Sequence, residues 1–312
     1  MLMVMPTLRQ LEYLIAVADL GTFGAAAEAV HVSQPAMSAQ IAELEQKLGV
    51  TLFERDRRGA RVTPEGEAIV TAARRVIAEA EQLVRLATER RGDLVGQLSI
   101  GVIPTMAPYL LPTIVREVKR RYPAAELNLR ELRTAELVEA LIAGTLDLGV
   151  LAAPVPELDR GIEAVELARD PFVLALPEGH PFAGSARLPQ SALSGLPMLL
   201  LEDGHCLRVH AENACAQIGA GTLGSIQATG LPSLSQMVAA GMGATLLPAC
   251  ALEVEARPGS GITTRRLRSP EPYRTVVLGW RSNSPRAEHF RTLAAGLAGP
   301  VAAACSLDRE GL

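Results

Sequence analysis

The sequence predicts a mixed α/β chain with a separate, mostly helical head, and three observations predict it. Apolar residues fall at helical spacing through the N-terminal segment, one long amphipathic helix follows from Pro64, and beyond Gly92 strand and helix patterns alternate. The length of 312 residues is about twice that of one domain, so two or three compact units are expected, each able to bury a core.

In the head, Leu8, Leu11, Leu14, Ile15 and Ala18 mark a first helix, and Phe23, Ala26, Ala27 and Val30 a short second one. After the break His31-Val32-Ser33, Ser33 or Gln34 caps a third helix whose first turn accepts Pro35, where a missing N–H does no harm. That helix is expected to bury Met37, Ile41, Leu44 and Leu48. Its other face starts with Ser33, Gln34, Pro35, Ser38 and Gln40, short groups at an exposed N-terminal end that reach base edges and phosphates in a major groove. Thr51–Glu54 and Ala60–Thr63 then read as a hairpin around Asp56-Arg57-Arg58-Gly59, a wing that places Arg55, Arg57 and Arg58 against a DNA backbone. The predicted unit is a winged helix-turn-helix.

Bulk charge does not support DNA binding. The chain carries 30 basic and 34 acidic residues for a net charge of −4, and its first 63 residues hold six basic against seven acidic ones. The favourable charge is local: Lys47, Arg55, Arg57, Arg58 and Arg61 stand against only Glu54 and Asp56 between residues 47 and 61.

Thr63-Pro64-Glu65-Gly66-Glu67 is a strong helix start, with a capping hydroxyl, Pro in the first turn and acidic groups favoured by the dipole. The helix is expected to run to about Arg91, with Ile69, Ala72, Ala73, Val76, Ala80, Leu83 and Ala87 on one stripe. A lone helix of about 40 Å needs a cover, and the same helix of a second chain supplies one while pairing two recognition helices on one duplex.

After a hinge at Gly92–Gly96, the expected order is strand 97–103, helix 108–121, strand 126–132, helix 135–143 and strand 147–151. A crossover near Ala168 opens a second set: strands 172–176, 198–201, 225–229 and 244–247, with a helix at 232–240. Strand 275–280 and a helix after Pro285 return to the first half. The expected division is a head at 1–63, a linker helix at 64–91, one α/β half at 92–168 with 272–300, and the other at 169–271.

Aromatic residues make up 3% of the chain, too few for a base- or sugar-stacking platform, and no apolar run reaches the ~18–20 residues of a membrane span. A cytoplasmic protein is expected, without membrane association, its Cys206, Cys215, Cys250 and Cys305 resting as thiols. No cofactor and no resident metal are expected.

Ser33-Gln34-Pro35-Ala36-Met37-Ser38, Leu52-Phe53-Glu54-Arg55, Thr63-Pro64-Glu65-Gly66 and the two-part α/β domain behind a long helix resemble LysR-type regulators along nearly the whole chain. Ala39 departs from that pattern, standing where many members carry a polar or basic residue. The resemblance implies a winged helix-turn-helix reading double-stranded promoter DNA and a linker helix that dimerises. It further implies an effector domain of two periplasmic-binding-protein-like halves, a homotetramer, and RNA polymerase as a partner.

Within that family, Ile103-Pro104-Thr105 with Pro108-Tyr109-Leu110-Leu111-Pro112, Asp203-Gly204-His205-Cys206-Leu207-Arg208, Cys215 and Met237–Gly241 are similar to the peroxide-sensing OxyR subfamily. That resemblance makes Cys206 the peroxidatic and Cys215 the resolving cysteine, with Thr105, Thr134, His205 and Arg274 shaping a hydrogen peroxide pocket. The residues suit it. Cys206 follows a Gly-containing loop at the expected start of a helix, beside His205 and Arg208, a setting that favours the thiolate.

If residues 207–219 are helical, Cys206 and Cys215 stand ~13 Å apart, whereas a disulfide spans ~4.4–6.8 Å between Cα atoms, so bond formation must dismantle that helix. Read without the resemblance, Thr105 also suits a cap for the helix after Pro108, Thr134 a cap for the helix at Ala135, Arg274 a solvated strand residue, and Cys250 and Cys305 small core hydrophobes. The alternative function is a LysR-type regulator that binds a small organic effector between the two halves. A metal sensor built on His205, Cys206, His210 and Cys215 lacks paired Cys-x-x-Cys spacing. A thiol peroxidase would need repeated turnover, whereas one event per reduction is sensing, so the chain is not expected to be an enzyme.

Overall fold

In the computed structural model, residues 5–56, 59–88, 94, 96–154, 161–203, 207–208 and 222–307 are described. The chain divides into two compact units, Met1–Glu89 with Ile142–Thr145, and Arg90–Leu141 with Leu146–Leu312.

In the first unit, helix α1 (Leu8–Leu20) is set by a capping box: the Thr7 hydroxyl accepts the Gln10 N–H and the Gln10 side chain accepts the Thr7 N–H, both at 3.2 Å. It stops at Gly21, whose φ of 66° is a left-handed value that favours glycine. Helix α2 (Phe23–Ala29) follows a Thr22 cap, and α3 (Gln34–Leu48) a Ser33 cap. Leu11, Leu14, Val17, Ala26, Met37, Ile41 and Leu44 close one core between them. Leu48 was expected in that core and is 37% exposed, because it is the last residue of α3 and projects past the layer that Leu44 completes.

Strands β1 (Phe53–Asp56) and β2 (Gly59–Val62) form the predicted hairpin, Phe53 opposite Val62. Its base is held at two points. The Ala60 N–H donates to the Gly21 carbonyl at 2.7 Å, and Glu45 on α3 accepts from the Leu52 and Phe53 N–H groups at 2.7 and 3.3 Å. Any side chain at Gly59 would meet the Gly21 carbonyl oxygen at 2.4 Å.

Helix α4 (Pro64–Thr88) starts where Thr63 accepts the Gly66 N–H at 2.9 Å. Its Ile69, Val70, Ala73 and Ile77 pack on the head core, and Arg74 pairs with Asp19 of α1. The expected apolar stripe therefore splits: Ile69 and Ala73 face the head, whereas Val76 and Leu83 are 48% and 70% exposed. Within this unit the core covers only the first turns of the helix.

The second unit is built from β3 (Gly96–Val102), α5 (Ala107–Arg121), β4 (Ala125–Glu131), α6 (Thr134–Ala143), β5 (Leu148–Ala153), β6 (Ile162–Pro177), β7 (Arg187–Leu188), β8 (Met198–Leu201), β9 (Thr222–Ala228), α7 (Leu231–Ala239), β10 (Thr245–Pro248), α8 (Leu252–Glu255), β11 (Ile262–Leu267), β12 (Tyr273–Arg281) and α9 (Ala287–Ala304). An eight-stranded sheet runs β4-β3-β5-β12-β6-β11-β7, with β10 also on β6, and β8 pairs in parallel with β9. Strand β3 is parallel to β4 and β5, while β12 is antiparallel to both β5 and β6. Gly101 and Gly149 sit side by side across β3 and β5, and a Cβ on either would lie 2.5 Å from a leucine methyl of Leu146 or Leu137. Their bareness lets Leu137 of α6 and Leu146 lie close on the sheet.

Strand β6 was expected only over 172–176, and β7 and β11 were not expected. Residues 162–171 of β6 run along β12, and Phe172–Pro177 pair with β10 and β11. The first stretch carries Glu163, Glu166, Arg169 and Asp170, and β11 carries Thr263, Thr264, Arg265 and Arg266. Such polar runs read as loop until partner strands supply the backbone hydrogen bonds. Among the described residues, no helix is long and apolar enough to cross a membrane.

Candidate DNA-reading and redox sites

Helix α3 presents Ser33, Gln34 and Pro35 exposed at its N-terminal end, with Ser38 and Gln40 half-buried behind them. Ser33 also accepts the Ala36 N–H at 3.4 Å, and Gln40 donates to Glu43 at 3.2 Å. Lys47, counted above with the local basic charge, is spent internally: its ammonium reaches Glu43 at 2.7 Å and the Gln10 side chain at 3.2 Å. That ammonium holds the Glu43 carboxyl below its ordinary range. Arg55 lies on β1, but its side chain and the whole of Arg57 and Arg58 fall outside the described residues.

In the second unit, Arg274 of β12 is 1% exposed, which corrects the reading of a solvated strand residue. It stands opposite Asp170 in the β6–β12 register, and its Nε donates to the Asp170 carboxylate at 2.9 Å. Nη1 donates to the Thr105 hydroxyl at 2.8 Å and Nη2 to the Thr105 carbonyl at 3.0 Å. Nη2 also lies 3.5 Å from the Cys250 sulfur, while the other Asp170 oxygen accepts the Cys250 N–H at 3.0 Å. A buried charge persists only when paired and hydrogen-bonded, and this guanidinium meets both conditions. Thr105 is not a helix cap: Met106 holds the N-cap position of α5, without a side-chain bond.

Next to this cluster, the Tyr109 hydroxyl donates to Glu255 at 2.7 Å, both residues buried. Burial, then the Glu255 carboxylate, pushes the Tyr109 phenol well above its ordinary value. Cys250 is likewise pushed up, by its hydrogen bond to the Cys305 thiol first, then by burial and by the nearby Asp170 charge.

Thr134 is the first residue of α6, half-buried, and the N–H of Leu137 bonds to the carbonyl of Arg133, so Arg133 rather than Thr134 takes the cap position. Arg133 pairs with Glu202 and donates to the Asp203 carbonyl at 3.5 Å. Beyond the next three residues, Leu207 is buried and Arg208 folds back to the Leu201 carbonyl at 3.0 Å and Asp203 at 3.2 Å. Asp203 and Arg208 are thus joined to each other, and Arg133 also reaches Asp203. His205, Cys206 and Cys215, together with the helix expected over 207–219 apart from Leu207 and Arg208, lie outside the described residues.

Of the expected pocket residues, Thr105 and Arg274 are joined directly. Sequence reasoning missed Asp170 and Cys250. The one available signal for Asp170 was an acidic residue in a stretch where Phe172–Leu176 already read as a buried strand. Cys250 read as a small hydrophobe, which its burial alone satisfies.

The model of the bacterial regulatory helix-turn-helix protein, lysR family, matches residues 8–67, and that of the LysR substrate binding domain matches residues 91–298. A probable hydrogen peroxide-inducible genes activator of Streptomyces viridosporus is 42% identical over 295 residues, 94% of this chain and 93% of the relative. A full-length OxyR variant from Pseudomonas aeruginosa superposes with a TM-score of 0.77 at 33% identity, covering 94% of this chain and 95% of that one. A hydrogen-peroxide-bound mutant of Corynebacterium glutamicum OxyR gives 0.64 at 35% identity, covering 97% of both chains. With both family models matched and relatives this similar along nearly its full length, the chain belongs to the LysR family of bacterial helix-turn-helix transcription regulators.

Proposed function

We propose that this regulator senses hydrogen peroxide through Cys206 and Cys215 and passes the signal to promoter DNA bound by its winged helices. The observation that carries the reading is the buried Thr105–Arg274–Asp170 cluster, which fixes a threonine and a guanidinium of the expected pocket in one orientation. The similarity to relatives named for hydrogen peroxide supports it.

In this reading Thr105, Thr134, His205 and Arg274 bind the peroxide. The Cys206 thiolate attacks the O–O bond, becoming a sulfenic acid as water leaves, and Cys215 condenses with it to a disulfide with loss of a second water. Ser33, Gln34, Pro35, Ser38, Gln40, Arg55, Arg57 and Arg58 contact DNA. The exposed apolar residues of α4 pair with those of a second chain, and a tetramer and RNA polymerase complete the assembly. The head occupies 1–63, the linker helix 64–91, and the sensing half 169–271 of the effector domain.

Thiol mapping by mass spectrometry after one equivalent of peroxide, with a footprint on the protein's own promoter, tests this. A Cys206–Cys215 bond with an altered footprint is the expected result. Both cysteines left as thiols, or a footprint unchanged by the bond, would overturn it.

A further inference from the structure

A groove of about 600 Å³ opens on the second unit, bordered by the short turn Pro181–Gly184, strand β11 and the chain that follows α8. Its size is that of a small-molecule site, about 300–1,000 Å³. Among the described residues it shares none with the Thr105–Arg274–Asp170 cluster, and every lining residue but Leu307 falls between Val173 and Arg266. Val173, Leu252, Ile262 and Leu307 give it an apolar lining, while Arg257, Arg265 and Arg266 bring guanidinium groups to it.

These arginines are not equivalent. Arg266 is already paired with Glu271 at 3.1 Å. Arg265, half-buried on β11, spends Nη1 on two neutral oxygens of its own strand, the Thr263 hydroxyl at 3.2 Å and the Thr264 carbonyl at 2.5 Å. Its Nε is buried without a hydrogen bond, and its Nη2 makes none among the described residues. Glu178, the one carboxylate lining the groove among the described residues, forms no ion pair with it. Arg257 is exposed and likewise enters no ion pair among the described residues. A cation partly withdrawn from water and held only by neutral oxygens lacks a counter-charge, which an anion entering the groove supplies.

We propose that this groove binds a small organic acid, its carboxylate held by Arg265 and drawn in by Arg257, its apolar body laid on Val173, Leu252, Ile262 and Leu307. A guanidinium presents its N–H groups in a plane that matches a carboxylate, and opposite charges strengthen each hydrogen bond between them. The apolar lining selects an organic acid over a bare inorganic anion, since phosphate has no apolar surface to bury there. The site gives the chain a ligand input separate from its thiols, and it stands independently of the chemistry at Cys206 and Cys215.

The test uses the full-length chain, kept reduced in a buffer free of carboxylate and phosphate, and titrated calorimetrically with hexanoate, hexanamide or inorganic phosphate to about 10 mM. Saturable hexanoate binding is expected, with hexanamide and phosphate each at least about tenfold weaker. Arg265→Gln should weaken hexanoate binding about tenfold, and Arg257→Gln, at an exposed position that spares the fold, about threefold. No saturable hexanoate binding, equal binding of the amide, phosphate as the tighter ligand, or an affinity unchanged in both variants would each overturn the proposal. The comparison of probes and Arg257→Gln leave half-buried Arg265 untouched, so a folding defect in Arg265→Gln leaves the test intact.

Discussion

Asp170 and Arg274 face each other across β6 and β12, joined at 2.9 Å with neither side chain exposed. The pair fixes the guanidinium so that Nη1 and Nη2 point at Thr105. Removing one partner of a buried pair strands the other's charge. Asp170→Asn should therefore destabilise the second unit by about 3–5 kcal/mol, read from denaturant unfolding. Within a double-mutant cycle with Arg274→Met, the double variant should lose less than the two single losses combined. Strict additivity would show that the pair does not act as a unit.

Thr105 tests what the orientation is for. Thr105→Val keeps the shape and the carbonyl but removes the hydroxyl that accepts from Arg274 at 2.8 Å. A loss of about 1–3 kcal/mol is expected, roughly ten- to a hundredfold if it falls on the rate of peroxide-dependent thiol oxidation. Thr105→Ser should retain most of that rate. Equal rates in all three proteins would remove Thr105 from the peroxide site.

Alkaline pH should weaken the second unit. Tyr109 and Cys250 both hold their protons more tightly folded than unfolded. The stability they lend is complete below their unfolded values, about 10 and 8.5, and falls as pH climbs past those toward the folded ones. Each contributes a slope of up to about 1.4 kcal/mol per pH unit. Unfolding titrations from pH 7 to 10.5 should show Cys250→Ala with a shallower decline than the unsubstituted protein. Identical slopes would mean that the thiol is not protected.

Glu45 couples the recognition helix to the wing by accepting two backbone N–H groups, those of Leu52 and Phe53. Glu45→Ala leaves both without that acceptor, at about 1–3 kcal/mol for each group that stays buried. The head should melt earlier, and promoter affinity should drop without a change in peroxide-dependent oxidation of the thiols. Differential scanning calorimetry with DNA titrations separates the two effects.

Leu83 and Val84 on α4 are 70% and 62% exposed within this chain. If a second chain covers them, Leu83→Glu places a charge in an apolar contact, and sedimentation should show dissociation with at least about a tenfold weaker dimer. An unchanged sedimentation coefficient would place the dimer contact elsewhere.

The head was legible in the sequence because its signals are local. Ser33 and Thr63 cap the helices they precede, Gly49 ends α3, and Met37, Ile41 and Leu44 repeat at helical spacing into one core. The alternation of strands and helices from Gly96 to Ala153 was equally readable, since α5 and the buried β5 carry distinct apolar periods. Leu48, Lys47 and the lower half of α4 show the limit of that reading. A periodic pattern says which face a residue occupies, but not whether anything stands opposite it.

Tertiary structure alone decided the surroundings of Arg274. Its partners Asp170 and Thr105 lie 104 and 169 residues away, and the Cys250 sulfur reaches it from the turn after β10. The pairing of β6 with β12 sets the first contact, through a strand half too polar to announce itself. The cost of burying a charge is settled by partners that only the strand register brings within reach.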